Sequence, residues 1–162
     1  MDIIKIEAHH YPQIVAIYLQ SIATNNATFQ TEAISWTDWD KSHLHHSRLA
    51  VFVENGMAGW AALSPVSSRC VYAGVGEVSI YIADKFRCKG IGKILFIQLI
   101  KESEENDLWT LQSGIFPENI GSIKLHEACG FRQVGYKEKI GKMNGIWRNN
   151  IIMERRSTTV GI

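Results

Sequence analysis

An alternating run, Glu77-Val78-Ser79-Ile80-Tyr81-Ile82, leads into the turn Arg87-Cys88-Lys89-Gly90-Ile91-Gly92. Ile91, Ile94, Leu95 and Leu99 then recur at helical spacing. The period-two pattern reads as a half-buried strand. The second pattern reads as an amphipathic helix with a solvated end, Lys101-Glu102-Ser103-Glu104-Glu105. Glycines at such a junction let an anionic ligand approach the backbone. Unpaired amides of the first helical turn point at that ligand, and the helix dipole favours its charge. A phosphate-bearing ligand is therefore expected here.

The remaining patterns fit one domain over residues 1–156 followed by a short frayed tail, 157–162, in a chain of 162 residues. Ile3–Glu7 alternates as a first strand. Tyr11–Ile22 is helical, and Ser35-Trp36-Thr37-Asp38 starts a second helix that runs to about Ser47. Leu49–Glu54 and Met57–Leu63 pair through Asn55-Gly56, and a long strand covers Val71–Ile82. Leu108–Phe116 is a strand, and Asn119–Cys129 is a helix stopped by Gly130. Phe131–Ile140 and Gly145–Arg155 close the fold around Met143-Asn144-Gly145. This order predicts an α+β fold, with one central, mostly antiparallel sheet of about seven strands flanked by helices.

A net charge of +1 gives no general attraction to nucleic acid or an anionic membrane, although Arg87, Lys89 and Lys93 form a local basic patch. Cys70, Cys88 and Cys129 are odd in number and lack metal-type spacing. With no signal-like N-terminus and no long apolar run, the expected setting is the cytoplasm, without a membrane partner. The histidines His9-His10 and His43, His45, His46 invite a metal reading. His43 and His46 fall on one face of the expected second helix, but no acidic or cysteine partner completes a site, so no metal is expected.

Gly90-x-Gly92 lacks the third glycine of a dinucleotide-binding turn and the Gly-Lys-Ser/Thr ending of a P-loop. Arg87-x-x-Gly90-x-Gly92 instead resembles the acyl-CoA pyrophosphate loop of the GNAT acetyltransferases. The Asn-led helix from Asn119 to Gly130-Phe131 resembles that superfamily's downstream segment. Over nearly the whole chain the sequence is similar to the phosphinothricin N-acetyltransferase group, which includes enzymes acting on methionine sulfoximine and methionine sulfone. The matching blocks are Ala16-Ile17-Tyr18, Ala27-Thr28-Phe29, Val75–Ile82, Gly114–Asn119, Leu125-His126-Glu127 and Gly141–Trp147.

The resemblance implies a GNAT fold and acetyl-CoA as cosubstrate. It implies direct transfer, in a ternary complex, to the amino group of a small amino acid-like acceptor, by a cytoplasmic homodimer. Glu77 would be the general base; in the alternating strand it shares a face with Ser79 and Tyr81. His126 would be a second acid/base residue, since an imidazole near pKa ~6.5 suits proton relay. Ile80, Tyr81 and Ile82 would offer backbone to the pantetheine arm as an added strand. Arg87, Cys88, Lys89, Gly90, Ile91, Gly92 and Lys93 would surround the pyrophosphate. Asn119 and Ser122, on one helix face with His126, would line the cleft from the other side.

An acceptor phosphinate or carboxylate needs a cation, best an arginine, and Arg69 is the candidate. Phe29, Tyr72, Lys142 and Trp147 would wall the acceptor pocket. Asn149 stands where relatives commonly carry Asp. The alternatives are acetylation of a protein N-terminus or polyamine, and a non-catalytic acyl-CoA sensor.

Overall fold

A computed structural model describes residues 1–162. The strands are β1 (Asp2–Lys5), β2 (Arg48–Val53), β3 (Gly56–Pro65), β4 (Val75–Ile82), β5 (Thr110–Ile115), β6 (Arg132–Met143) and β7 (Ile146–Arg156). The helices are α1 (Tyr11–Ala23), α2 (Trp36–Ser42), α3 (Ile91–Glu105) and α4 (Ile120–Ala128). All strands join one sheet in the order β1-β2-β3-β4-β5-β7-β6, and every neighbouring pair is antiparallel except β4–β5. This is the mostly antiparallel α+β architecture expected. No helix is long and apolar enough to cross a membrane.

Strand alternation divides the helices between the two faces. On the Tyr81 face lies α1, with the Tyr18 and Tyr81 rings 5.0 Å apart. On the Ile82 face lies α3; a Cβ added at Gly92 would sit 3.4 Å from Ile82 Cγ1 and from Leu125 Cδ2 of α4. Leu95, Phe96 and Leu99 of α3 are wholly buried in the core, each contributing about 1.5–3 kcal/mol of apolar burial. Asn144 and Gly145, both at positive φ, form the two-residue turn of the β6–β7 hairpin. In the β2–β3 hairpin the turn falls on Glu54-Asn55, one position before the expected Asn55-Gly56, and Gly56 is already paired.

Three local expectations change. α2 stops at Ser42 because His43 turns to extended backbone, so His43 and His46 share no helical face. Buried Arg48 organises the segment that follows, donating to Asp40 and to the carbonyls of Leu44 and His43. β4 begins at Val75 rather than Val71, with Cys70–Tyr72 forming an exposed 3-10 turn. Gly74 lies flat against Trp109, where any Cβ would overlap the indole at 2.0 Å. The segment after β7 is clasped rather than frayed: Arg156 donates to the carbonyls of Trp109, Ser157, Val160 and Gly161, and Ser157 Oγ donates to Glu104 at 2.8 Å.

Candidate active site

The parallel pair holds for only three positions, Val75↔Thr110, Gly76↔Leu111 and Glu77↔Gln112, after which β4 and β5 diverge. Ala83 N–H donates to Ala58 O, and β3–β4 pairing continues without a bulge. By antiparallel alternation the amides of Ser79 and Tyr81 therefore face β3, while those of Ile80 and Ile82 face the gap. Thus Ile80 and Ile82 offer their amides there, while Ile82 O accepts from Arg87 Nε at 3.2 Å. Tyr81 offers none, because its main chain is spent on Trp60; its ring lines the site instead.

Two cavities meet at this fork. One, of 580 Å³, lies between β4, β5 and the N-terminal ends of α3 and α4. The other, of 450 Å³, lies under α1 and α2. Ala27, Val78, Ser79, Tyr81 and Gly114 line both.

In the larger cavity Gly90 adopts φ +79° and caps α3, and a Cβ there would meet nothing within 4 Å. Lys93 and Ile94 donate to Gly90 O, leaving the amides of Ile91 and Gly92 ahead of the first intrahelical bond. Cys88, Gly90, Gly92 and Lys93 line the space, with Lys93 supplying positive charge. Arg87 also lines it, but its guanidinium is committed to Asp84 at 2.9 Å and to Ile82 O at 3.2 Å. Lys89 lies over the Phe86 ring, and the Ile91 side chain is buried in the core, so neither reaches the cavity. The open glycine cradle, the free amides, Lys93 and the unpaired strand edge together fit a nucleotide pyrophosphate joined to an extended arm.

On the opposite wall Asn119 Oδ1 accepts from Ser122 N–H at 3.2 Å, so this oxygen caps α4 and its amide nitrogen is left for a ligand. Ser122 and His126 follow on the same face. His126 differs from the expectation. It is buried edge-on against Phe96 and Phe131, and its Nδ1–H donates to Ser122 O at 2.8 Å. Burial lowers its pKa to about 4, and Nε2 has no partner. The ring is neutral at pH 7 and has no imidazolium proton to give.

The smaller cavity carries Glu77, Ser79 and Tyr81 along one edge. The Glu77 carboxylate is exposed and in no ion pair. Burial, with Tyr18 beside it, raises the Tyr81 phenol above its usual range. Phe29 forms a wall, edge-on to Phe116 at 4.7 Å and packed against Gly141. Arg69, the expected cation, and Tyr72, Lys142 and Trp147, the other expected wall residues, are not among the residues lining this cavity. Arg69 stacks on Tyr72 beside the exposed 3-10 turn, and Lys142 on Trp147 in the exposed β6–β7 hairpin.

Residues outside the expected set complete this cavity: Tyr18, bonded to Thr28 at 3.2 Å, with Trp39, His43, Glu32 and Asn150. The Asn150 side chain fills the space that a Cβ on Gly114 would take, 2.7 Å from its Nδ2, and its Oδ1 is buried without a partner. The available signal was slight: Asn150 directly precedes the apolar run Ile151-Ile152-Met153, in a strand that also carries Arg148, Asn149, Glu154, Arg155 and Arg156.

Residues 13–131 match the model of the acetyltransferase (GNAT) family. The chain is 28% identical over 156 residues to the phosphinothricin N-acetyltransferase of Alcaligenes faecalis, covering 89% of this chain and 76% of the relative. It is 25% identical over 149 residues to the L-methionine sulfoximine/L-methionine sulfone acetyltransferase of Pseudomonas aeruginosa, covering 88% and 87%. Its fold matches the crystal structure of a GNAT superfamily phosphinothricin acetyltransferase from Sinorhizobium meliloti in complex with AcCoA. That match has a TM-score of 0.87 and 24% identity, and covers 99% of this chain and 90% of the other.

Proposed function

The chain belongs to the GNAT family of acetyltransferases, and from that premise we propose that it moves the acetyl group of acetyl-CoA onto the amino group of a small amino acid-like acceptor. The observation that carries the proposal is the fork between β4 and β5, where a cavity suited to a nucleotide thioester opens into one holding a free carboxylate. Bound acetyl-CoA supplies the activated acyl group. Ile80 and Ile82 pair its arm, and the amides around Gly90 and Gly92, with Lys93, hold the pyrophosphate. Asn119 and Ser122 close the far wall.

Glu77 acts on the acceptor. An α-ammonium has a pKa of ~7.7–8.0, and the nitrogen attacks only after losing its proton. Glu77 takes that proton, directly or through one water, and passes it to solvent through the cavity mouth. The freed amine attacks the thioester carbonyl, the C–N bond forms as the C–S bond breaks, and the second proton released by the nitrogen goes to the departing thiolate. Phe29 and Phe116 exclude water from the acceptor's other side. His126, neutral and buried, acts as a positioning residue: its bond to Ser122 O fixes the first turn of α4.

A cytoplasmic homodimer accompanies this reading. Support for the dimer comes from the exposed apolar side chains Tyr136, Ile140, Ile146 and Trp147 on the terminal hairpin of the sheet.

Free-thiol release from acetyl-CoA across an amine panel tests the activity. Glu77→Gln is expected to lower kcat by about 10²-fold or more, with coenzyme A affinity unchanged. Full turnover in that variant removes Glu77 from its role. Coenzyme A binding without thiol release from any amine replaces the enzyme with a sensor.

A further inference from the structure

One of the buried side-chain atoms that find no hydrogen-bond partner lies at the fork itself: Asn150 Oδ1. The registers Glu77↔Gln112 and Gly114↔Ile152 set Glu77, Gly114 and Asn150 on one face of the sheet. Glu77 stands on the β4 side of the opening and Asn150 on the β5–β7 side. Gly114 lines both cavities, and Asn150 Nδ2 lies 2.7 Å from the place a Cβ on that glycine would take. Because Oδ1 is buried, the end of the side chain that lines the acceptor cavity is the Nδ2 amide group.

For folding alone this arrangement is unfavourable. An unpaired amide oxygen loses its water and gains no bond, whereas a leucine branches in the same way and leaves nothing unsatisfied. A side chain that costs stability where two cavities meet reads as chemistry rather than packing. Gly114, Phe116 and Asn150 are what this side of the fork contributes to the acceptor cavity, and Asn150 alone has a polar side chain. Gly114 completes the arrangement, since a side chain there would push the amide out of its place.

We propose that Asn150 is a catalytic residue whose Nδ2–H donates to the acyl oxygen of the bound thioester as charge develops on it. This rests on the acetyltransferase reading above and adds a residue to it. As the amine nitrogen bonds to the carbonyl carbon, the carbonyl π pair moves onto oxygen. The pair returns when the C–S bond breaks and its electrons leave on sulfur. The oxygen is most negative between these two events, so a donor already fixed over Gly114 bonds it most strongly there.

Asn150→Leu and Asn150→Asp test the assignment by steady-state kinetics and thermal unfolding. The leucine variant removes both ends of the amide and is expected to lower kcat by about 10²-fold. Its KM for acetyl-CoA and for the acceptor is expected to stay within about twofold, with Tm unchanged or higher. The aspartate variant keeps the shape and the oxygen but sets a negative charge beside the developing one, so kcat is expected to fall at least as far. Turnover retained with aspartate overturns the proposal, because the site then uses an oxygen that accepts from the amine. A raised acceptor KM at unchanged kcat overturns it too, and leaves Asn150 a binding contact. A lowered Tm with unchanged kcat in the leucine variant leaves it a packing residue. Absence of thiol release by the parent enzyme with every amine removes the acetyltransferase reading itself, independently of either variant.

Discussion

His126 shows how one buried side chain reshapes a chemical role. Its pKa falls from 6.5 to about 4 on folding because burial disfavours the charged ring. The native state therefore binds fewer protons than the unfolded chain between those values. Its contribution to stability is complete above 6.5 and is lost as pH falls from there towards about 4, an effect on the order of 3 kcal/mol. Buried His10 and half-buried His43 and His46 shift in the same direction, so the comparison must be with a variant. His126→Phe, measured by urea unfolding from about pH 7 down to about pH 4, is expected to flatten that part of the profile. An unchanged slope would mean that folding leaves the pKa of this ring where it stands in the unfolded chain. Asn150 shows the opposite case: an amide whose Oδ1 is buried is accommodated because Gly114 leaves it room beside the fork.

At the scale of elements, the turn into α3 carries the clearest prediction. Gly90 sits in the left-handed region with open space around it, so Gly90→Ala adds backbone strain and no clash. A loss of about 1 kcal/mol is expected, read as a Tm lower by a few degrees, together with a several-fold weaker coenzyme A Kd by calorimetry. Unchanged affinity would separate this turn from the ligand. The same strand–turn–helix was legible in the sequence because period-two and helical patterns met at glycines. The shared face of Glu77, Ser79 and Tyr81 was legible for the same reason. What escaped depends on distant contacts. The end of α2 is set by Arg48 capturing the carbonyls of His43 and Leu44, and the start of β4 by Gly74 lying on Trp109. Strand alternation assigns side chains to faces but not main-chain amides to neighbours, so the distinction between Tyr81 and Ile80/Ile82 needed the β3 register. The acceptor cavity was the least legible part, since it draws on α1, the following loop, α2 and β7 at once.

Across the molecule, the sheet works as a partition. α1 and α2 cover one face and α3 the other, while the clasp of Arg155 and Ser157 on Glu104 ties β7 and the chain end to α3. β5 is thereby held to β7 through Ile115 even though it has parted from β4 beyond Gln112. The opening is thus framed on both sides by paired strands. The two cavities meet there and share Ala27, Val78, Ser79, Tyr81 and Gly114, so the proposed nucleotide and amine would each have a cavity of its own. In product-inhibition experiments coenzyme A is therefore expected to compete with acetyl-CoA but not with the acceptor, and double-reciprocal plots to intersect; parallel lines would instead reveal an acylated enzyme and a single shared doorway.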